Sequence, residues 1–187
     1  MEFFEQKKKT LSKIDKSKKG EIDSDILDIV NYINSKDNYY TTSSCSGRIN
    51  IISKKSGKKY DCDWLITSHD QIGFKELKLI LEKPSEYKTW FREEPMILHV
   101  CCKNIVDANH FLKIAKTIYK RAGIISIEKR IIVEIIGSEF MDTIISKDRK
   151  MLVSDDYIKV LIEEANLKLA SNKTGLKRFY ETLKKML

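Results

Sequence analysis

The run Met96-Ile97-Leu98-His99-Val100-Cys101-Cys102 is near-continuously apolar, as a strand in the middle of a sheet must be. A few residues on, Ile105, Ala108, Leu112, Ala115, Tyr119 and Ala122 recur at alternating intervals of three and four. That spacing draws one apolar stripe along a helix, and its small alanines suit close packing on a sheet. A buried strand feeding such a helix commits the chain to a layered fold of sheet and helix. The spacing predicts a helix running from Ile105 to Ala122, ended by Gly123.

The rest of the pattern alternates in the same way. The first 33 residues read as helix broken at Lys19-Gly20, with Asp23 or Ser24 as cap of the second piece. Arg48 to Ser53 and Tyr60 to Thr67 read as two strands joined by a basic turn, Lys54-Lys55-Ser56-Gly57-Lys58-Lys59. A helix over Gly73 to Leu81, a strand from Glu86, and strands at 124–127 and 130–137 follow. A second basic turn lies at Lys147 to Lys150. From Asp155 the chain is helical, with Tyr157, Leu161, Ala165, Leu169, Leu176, Phe179 and Leu183 as its stripe and Asn172 and Gly175 weakening its middle. No Pro/Gly/Ser linker divides the sequence, so residues 1–187 are expected to form a single compact α+β domain. The loose likeness of its two halves fits an internal duplication with swapped strands. Neither GxGxxG nor GxxxxGK[ST] occurs, which removes the main support for a dinucleotide or P-loop fold.

Composition narrows the function classes. Lys and Arg number 35 against 27 Asp and Glu, a net charge of +8 that favours a polyanionic partner such as RNA, although a lysine-rich, well-hydrated surface has the same balance. No apolar run exceeds four residues, far short of the roughly 20 needed to span a bilayer. The N-terminus does not read as a secretory signal, and a cytoplasmic protein with reduced thiols is expected. Cys45, Cys62, Cys101 and Cys102 include no CxxC pair, so neither structural zinc nor a disulfide framework is expected.

Chemistry concentrates in Tyr39-Tyr40-Thr41-Thr42-Ser43-Ser44-Cys45-Ser46-Gly47-Arg48. Small hydrogen-bond donors ending in Gly-Arg suit a polar or anionic ligand, with Gly47 permitting close backbone approach and Arg48 offering a bidentate fork. A Ser/Thr-rich turn between two strands has the same composition. Cys45 beside Arg48 is a candidate nucleophile, or a small thiol that lines the pocket. His69 with Asp70 forms a candidate oriented base after an apolar strand, and His99 is either a second base or a core histidine. Lys54, Lys55, Lys58 and Lys59 form a candidate phosphate contact. Tyr39, Tyr40, Tyr60, Trp64, Trp90 and Phe91 are the aromatics available to an unstacked base.

Taken together, Thr41-Thr42-Ser43-Ser44-Cys45-Ser46-Gly47-Arg48-Ile49, Asp63-Trp64 with Ser68-His69-Asp70, Glu94-Pro95-Met96-Ile97-Leu98-His99-Val100, the helix from Ala108 and the following Gly123-Ile124 resemble the family of tRNA wybutosine-synthesising methyltransferases. The resemblance runs over nearly the whole chain. It implies methyl transfer from S-adenosyl-L-methionine to N4 of a tricyclic 4-demethylwyosine-type base at position 37, in the anticodon loop of phenylalanine tRNA. It also implies an α+β fold of intertwined mixed sheets with no Rossmann core, and involves no membrane, metal or obligate protein partner. By this resemblance Ser43, Ser44, Ser46, Gly47, Arg48 and Glu94 bind substrate or cofactor, and His69, Asp70 and His99 stand in the catalytic motifs. The alternative is a non-catalytic RNA-binding module, for which the basic turns and aromatics would suffice.

Overall fold

A computed structural model of the chain describes residues 2–12, 22–55 and 61–187. Its elements in order are α1 (Phe3–Leu11), α2 (Ser24–Ser35), β1 (Tyr39–Cys45), β2 (Arg48–Lys54), β3 (Cys62–Ser68), α3 (Phe74–Glu82), β4 (Lys88–Glu94), β5 (Ile97–Cys102), α4 (Ile105–Lys116), β6 (Arg121–Ser126), β7 (Ile131–Ile136), β8 (Met141–Lys147), β9 (Lys150–Met151) and α5 (Asp155–Met186). The expected break at Lys19-Gly20 lies outside the described residues. The chain divides into two compact units, and it passes between them after Ser46, Pro95, Ser138 and Asn172. The units are therefore interleaved in sequence. Every strand pairing among the described residues is antiparallel. The mixture in this α+β fold is thus one of helix with sheet, not of parallel with antiparallel strands.

The first unit is built on a four-stranded sheet of order β1-β5-β7-β6. Alternation along β5 and β7 sends Leu98, Val100, Cys102, Val133 and Ile135 to one face, where all are buried. Ile26, Ile29, Val30 and Ile33 of α2, Ala108, Phe111, Ile114 and Ala115 of α4, and Leu176, Phe179 and Leu183 of α5 join them in one apolar cluster. Each fully buried large apolar side chain contributes about 1.5–3 kcal/mol of transfer free energy. Asn104 starts α4 by accepting the Asp107 N–H at 2.9 Å.

The helix expected to reach Ala122 stops at Lys116. Its last turn tightens, with Thr117 and Ile118 N–H bonded three residues back to Ile114 and Ala115. The Thr117 hydroxyl also donates to the Ile114 carbonyl. Arg121, Ala122 and Gly123 then pair with Ile136, Ile135 and Glu134 of β7. Gly123 is a strand residue, not a helix stop, because strand pairing at 121–126 competes successfully with a helical pattern too weak to extend further.

The second unit carries a five-stranded sheet of order β3-β2-β4-β8-β9. Ile49, Ile51, Phe91 and Ile145 pack with Ile72 and Leu77 around α3, and with Ile158, Leu161, Ile162, Ala165 and Leu169 of α5. Tyr157, expected on this stripe, is 46% exposed, and its neighbour Ile158 takes the inward place. The second basic turn is a two-residue hairpin in which Asp148 and Arg149 both have positive φ, at 53° and 60°. The two residues expected to weaken α5 have partners elsewhere in the chain. Asn172 Nδ2 donates to Glu93 Oε1 at 2.6 Å within this unit. In the first unit, a Cβ on Gly175 would come within 3.1 Å of the Tyr119 hydroxyl.

Candidate functional site

The Ser/Cys/Gly/Arg motif is shared between the units, since the chain leaves the first after Ser46 and enters the second at Gly47. In the first unit a register shift between Thr41 and Ser43 places Ser43 directly across from His99. Ser43 is exposed, and Ser44 and Cys45 are half-buried. Ser46 turns inward, its backbone N–H and hydroxyl both donating to Asp23 Oδ2 at 2.9 and 3.3 Å. Asp23 stands at the N-cap of α2 but makes no side-chain bond to that helix. Its carboxylate pins the motif instead. The sequence offered Asp23 only as a cap, because its true partner is 23 residues away.

His99 lies in the centre of this sheet with its side chain on the face opposite the apolar cluster. Its Nε2 donates to Glu134 Oε2 at 2.8 Å, from the residue directly opposite on β7. Both side chains keep about a quarter of their surface in solvent, at 24% and 27%. Glu134 was missed in the sequence, though a lone carboxylate inside Ile131-Ile132-Val133-Glu134-Ile135-Ile136 was a visible signal.

The second unit holds the other motif residues. Gly47 has φ 98°, a conformation that side chains rarely tolerate. Its carbonyl lies 2.9 Å from His69 Nδ1. A carbonyl only accepts, so Nδ1 carries the proton and Nε2 is the basic end of the neutral ring. Asp70 closes a local turn, its N–H donating to the Ser68 hydroxyl, which in turn donates to the Asp70 carbonyl.

Arg48 and Glu94 face each other across β2 and β4, with Arg48 Nε donating to Glu94 Oε2 at 2.8 Å. The guanidinium also lies over the Trp64 ring, 4.9 Å from its centroid. Glu94 Oε1 meets Arg92 Nη1 at 3.4 Å, and Arg92 Nη2 meets Asp142 at 3.0 Å. The result is an alternating row of charges, Arg48, Glu94, Arg92 and Asp142, which fixes each fork in direction. Asn50, opposite Arg92 in register, is fully buried with both amide atoms unpartnered among the described residues.

Of the lysines expected to meet phosphate, Lys54 Nζ sits 5.0 Å from the Trp90 ring centroid and Lys55 pairs with Asp63 at 3.2 Å. Lys58 and Lys59 lie outside the described residues, as does Tyr60. Tyr39, Tyr40 and Phe91 are buried and belong to the protein interior, which leaves Trp64 and Trp90 as the reachable rings. Cys101 and Cys102 are buried too. Burial pushes the Cys102 thiol up to about 12 and raises Cys101 as well, so neither is a nucleophile at neutral pH.

Glu93, next to Glu94, points to the opposite face and is 1% exposed. Burial pushes its carboxyl up to about 7, against the downward pull of the Asn172 hydrogen bond and the Lys168 charge. Its Oε2 has no partner among the described residues.

Known proteins are similar to this chain in sequence and in fold. A family model described as methyltransferase TYW3 matches residues 5–185. A Thermococcus sibiricus protein named tRNA(Phe) 7-((3-amino-3-carboxypropyl)-4-demethylwyosine(37)-N(4))-methyltransferase is 36% identical, over 98% of this chain and 95% of its own. The Methanocaldococcus jannaschii protein of the same name is 37% identical, over 98% and 97%. Among solved structures, the PH1069 protein from Pyrococcus horikoshii superposes with a TM-score of 0.88 at 34% identity, covering 97% of this chain and 95% of that one.

Proposed function

The chain belongs to the methyltransferase TYW3 family, and we propose that it transfers a methyl group from S-adenosyl-L-methionine to N4 of a 7-(3-amino-3-carboxypropyl)-4-demethylwyosine-type base at position 37 of phenylalanine tRNA. The observation that carries this reading is the near-full-length likeness to relatives bearing that name. Bound S-adenosylmethionine supplies an electrophilic methyl group, so the protein needs no nucleophile of its own, and Cys45 only lines the site. The residues present fit such a cofactor. Arg48, held by Glu94 through Nε, turns its remaining guanidinium donors to a carboxylate or phosphate. The Glu94 carboxylate suits the cationic amino group of the same molecule.

His69 is the acceptor for the proton that the ring nitrogen loses, because the Gly47 carbonyl fixes its tautomer and leaves Nε2 basic. Trp64 and Trp90 are the surfaces on which an unstacked anticodon-loop base rests. The test uses radiolabelled S-adenosylmethionine with tRNA carrying the tricyclic precursor and with tRNA lacking it. Saturable cofactor binding and label transfer to the precursor tRNA alone are expected. Tight tRNA binding with no cofactor binding would replace this reading with the RNA-binding module.

A further inference from the structure

Gly123 is a glycine that the fold does not explain. Inside a strand, glycine costs roughly 0.5–1 kcal/mol relative to alanine and packs nothing. Folds keep it where φ is positive, and among the described glycines only Gly47 has that conformation. They also keep it where a neighbour presses close, as Tyr119 does on Gly175. At Gly123 an added Cβ would meet nothing within 4 Å. A register shift follows between Ile124 and Ser126, but Gly123 itself pairs regularly with Glu134, and the open space over it leaves room for an approach from outside the chain.

Register says what that approach would meet. Gly123 is directly opposite Glu134, Glu134 opposite His99, and His99 opposite Ser43. Directly paired residues share a face, so these four form one row across the sheet, away from the apolar cluster. The row ends at β6, the edge strand of this sheet among the described residues. His99 fixes one oxygen of Glu134, and the carboxylate's remaining lone pairs are acceptors only. A ligand seated here must therefore bring donors and must not be an anion at that point. A vicinal diol brings two O–H donors, and an acidic side chain holding ribose hydroxyls is a recurrent nucleotide-site solution.

We propose that the outward face of the four-stranded sheet, at Gly123 and Glu134, seats a ribose whose hydroxyls donate to Glu134, with His99 as the positioning residue for that carboxylate. The proposal rests on the methyltransferase reading, which supplies two sources of ribose: the adenosyl cofactor and the tRNA anticodon loop.

The experiment compares wild type with Gly123→Val, Gly123→Ala and Glu134→Gln. S-adenosylhomocysteine binding is followed by calorimetry, precursor tRNA binding by filter retention, and folding by Tm. Gly123→Ala should hold or raise Tm, since its methyl meets no atom of the chain. Gly123→Val should weaken one of the two probes at least tenfold, and Glu134→Gln should weaken the same probe several-fold. The probe affected identifies which ribose is seated. Affinities within twofold of wild type for both probes in the folded variants would overturn the proposal, and so would an equal loss of both. Wild-type protein that bound neither probe would overturn the methyltransferase reading itself, and the ribose seat with it.

Discussion

Glu94 and Glu134 hold corresponding stations in the two sheets. Each stands directly opposite a cationic or titratable partner, 2.8 Å away, and keeps 26% and 27% of its side chain in solvent. Glu93, one residue before Glu94, is 1% exposed and bonded to Asn172 at 2.6 Å. Strand parity alone separates these fates: β4 sets Glu94 across from Arg48 and Glu93 across from Ile49. The lesson is that a carboxylate in these strands is available to a ligand only on the outward parity. The two outward carboxylates then differ in partner. Arg48 bonds Glu94 through Nε and keeps further guanidinium donors for a ligand, whereas His99 offers Glu134 a single ring N–H, so the two pairs should respond very differently to substitution.

Arg48→Lys should give the largest effect on the five-stranded side. Lysine keeps the charge but cannot bond Glu94 through Nε, lie flat over Trp64 and still present a fork. A loss of about a hundredfold in kcat/KM is expected, equivalent to about 2.7 kcal/mol of transition-state stabilisation. A variant with kcat/KM close to wild type would reduce Arg48 to a surface partner of Glu94 and erase the contrast with His99.

Glu93→Gln tests the inward parity. Burial raises the Glu93 carboxyl from 4.5 to about 7 in the folded protein. A raised folded value means the contribution is fully present below the unfolded value and lost as pH rises through the folded one. Wild-type stability should accordingly fall by on the order of 3 kcal/mol between about pH 4.5 and pH 7 and level off above. Glutamine keeps the oxygen that accepts from Asn172 and carries no charge, so urea denaturation of Glu93→Gln should lose most of that slope. Equal slopes in the two proteins would mean that Glu93 ionises in the interior without cost.

Much of this was visible in the sequence, for physical reasons that can be named. The β5 strand and the start of α4 were legible because their periodicity is strong and local. The end of α4 was not, because Tyr119 and Ala122 continue the helical spacing while the strand that captures 121–126 lies further along the chain. Asn172 and Gly175 read as flaws in α5, yet each answers a residue far away in sequence, Glu93 and Tyr119. Tyr39 and Tyr40 read as base-stacking aromatics, and only the packing of the first unit shows them buried. In the candidate site, Arg48, His69 and His99 announced themselves by type and motif. The groups that hold His99, Ser46 and His69, namely Glu134, Asp23 and the Gly47 carbonyl, did not, because each bond joins residues more than twenty positions apart.

The smallest effect is expected at the far end of the five-stranded sheet. Lys54 already leans over Trp90, and Lys55 is paired with Asp63 in an exposed bridge of 42% and 55% accessibility. Exposed pairs of that kind contribute about 0–1 kcal/mol and are easily exchanged for a phosphate. Each phosphate that a lysine no longer neutralises should lower the slope of log K against log salt by roughly 0.7–0.9. Lys54→Gln with Lys55→Gln should therefore reduce the tRNA slope by at most about 1.5, with the smaller share from Lys55, where Asp63 already offsets the charge. S-adenosylhomocysteine affinity should not move. Adding Lys58→Gln and Lys59→Gln extends the same measurement along the turn. A slope unchanged by all four substitutions would remove this turn from the RNA-binding surface. The polyanion would then have to be met by other basic residues.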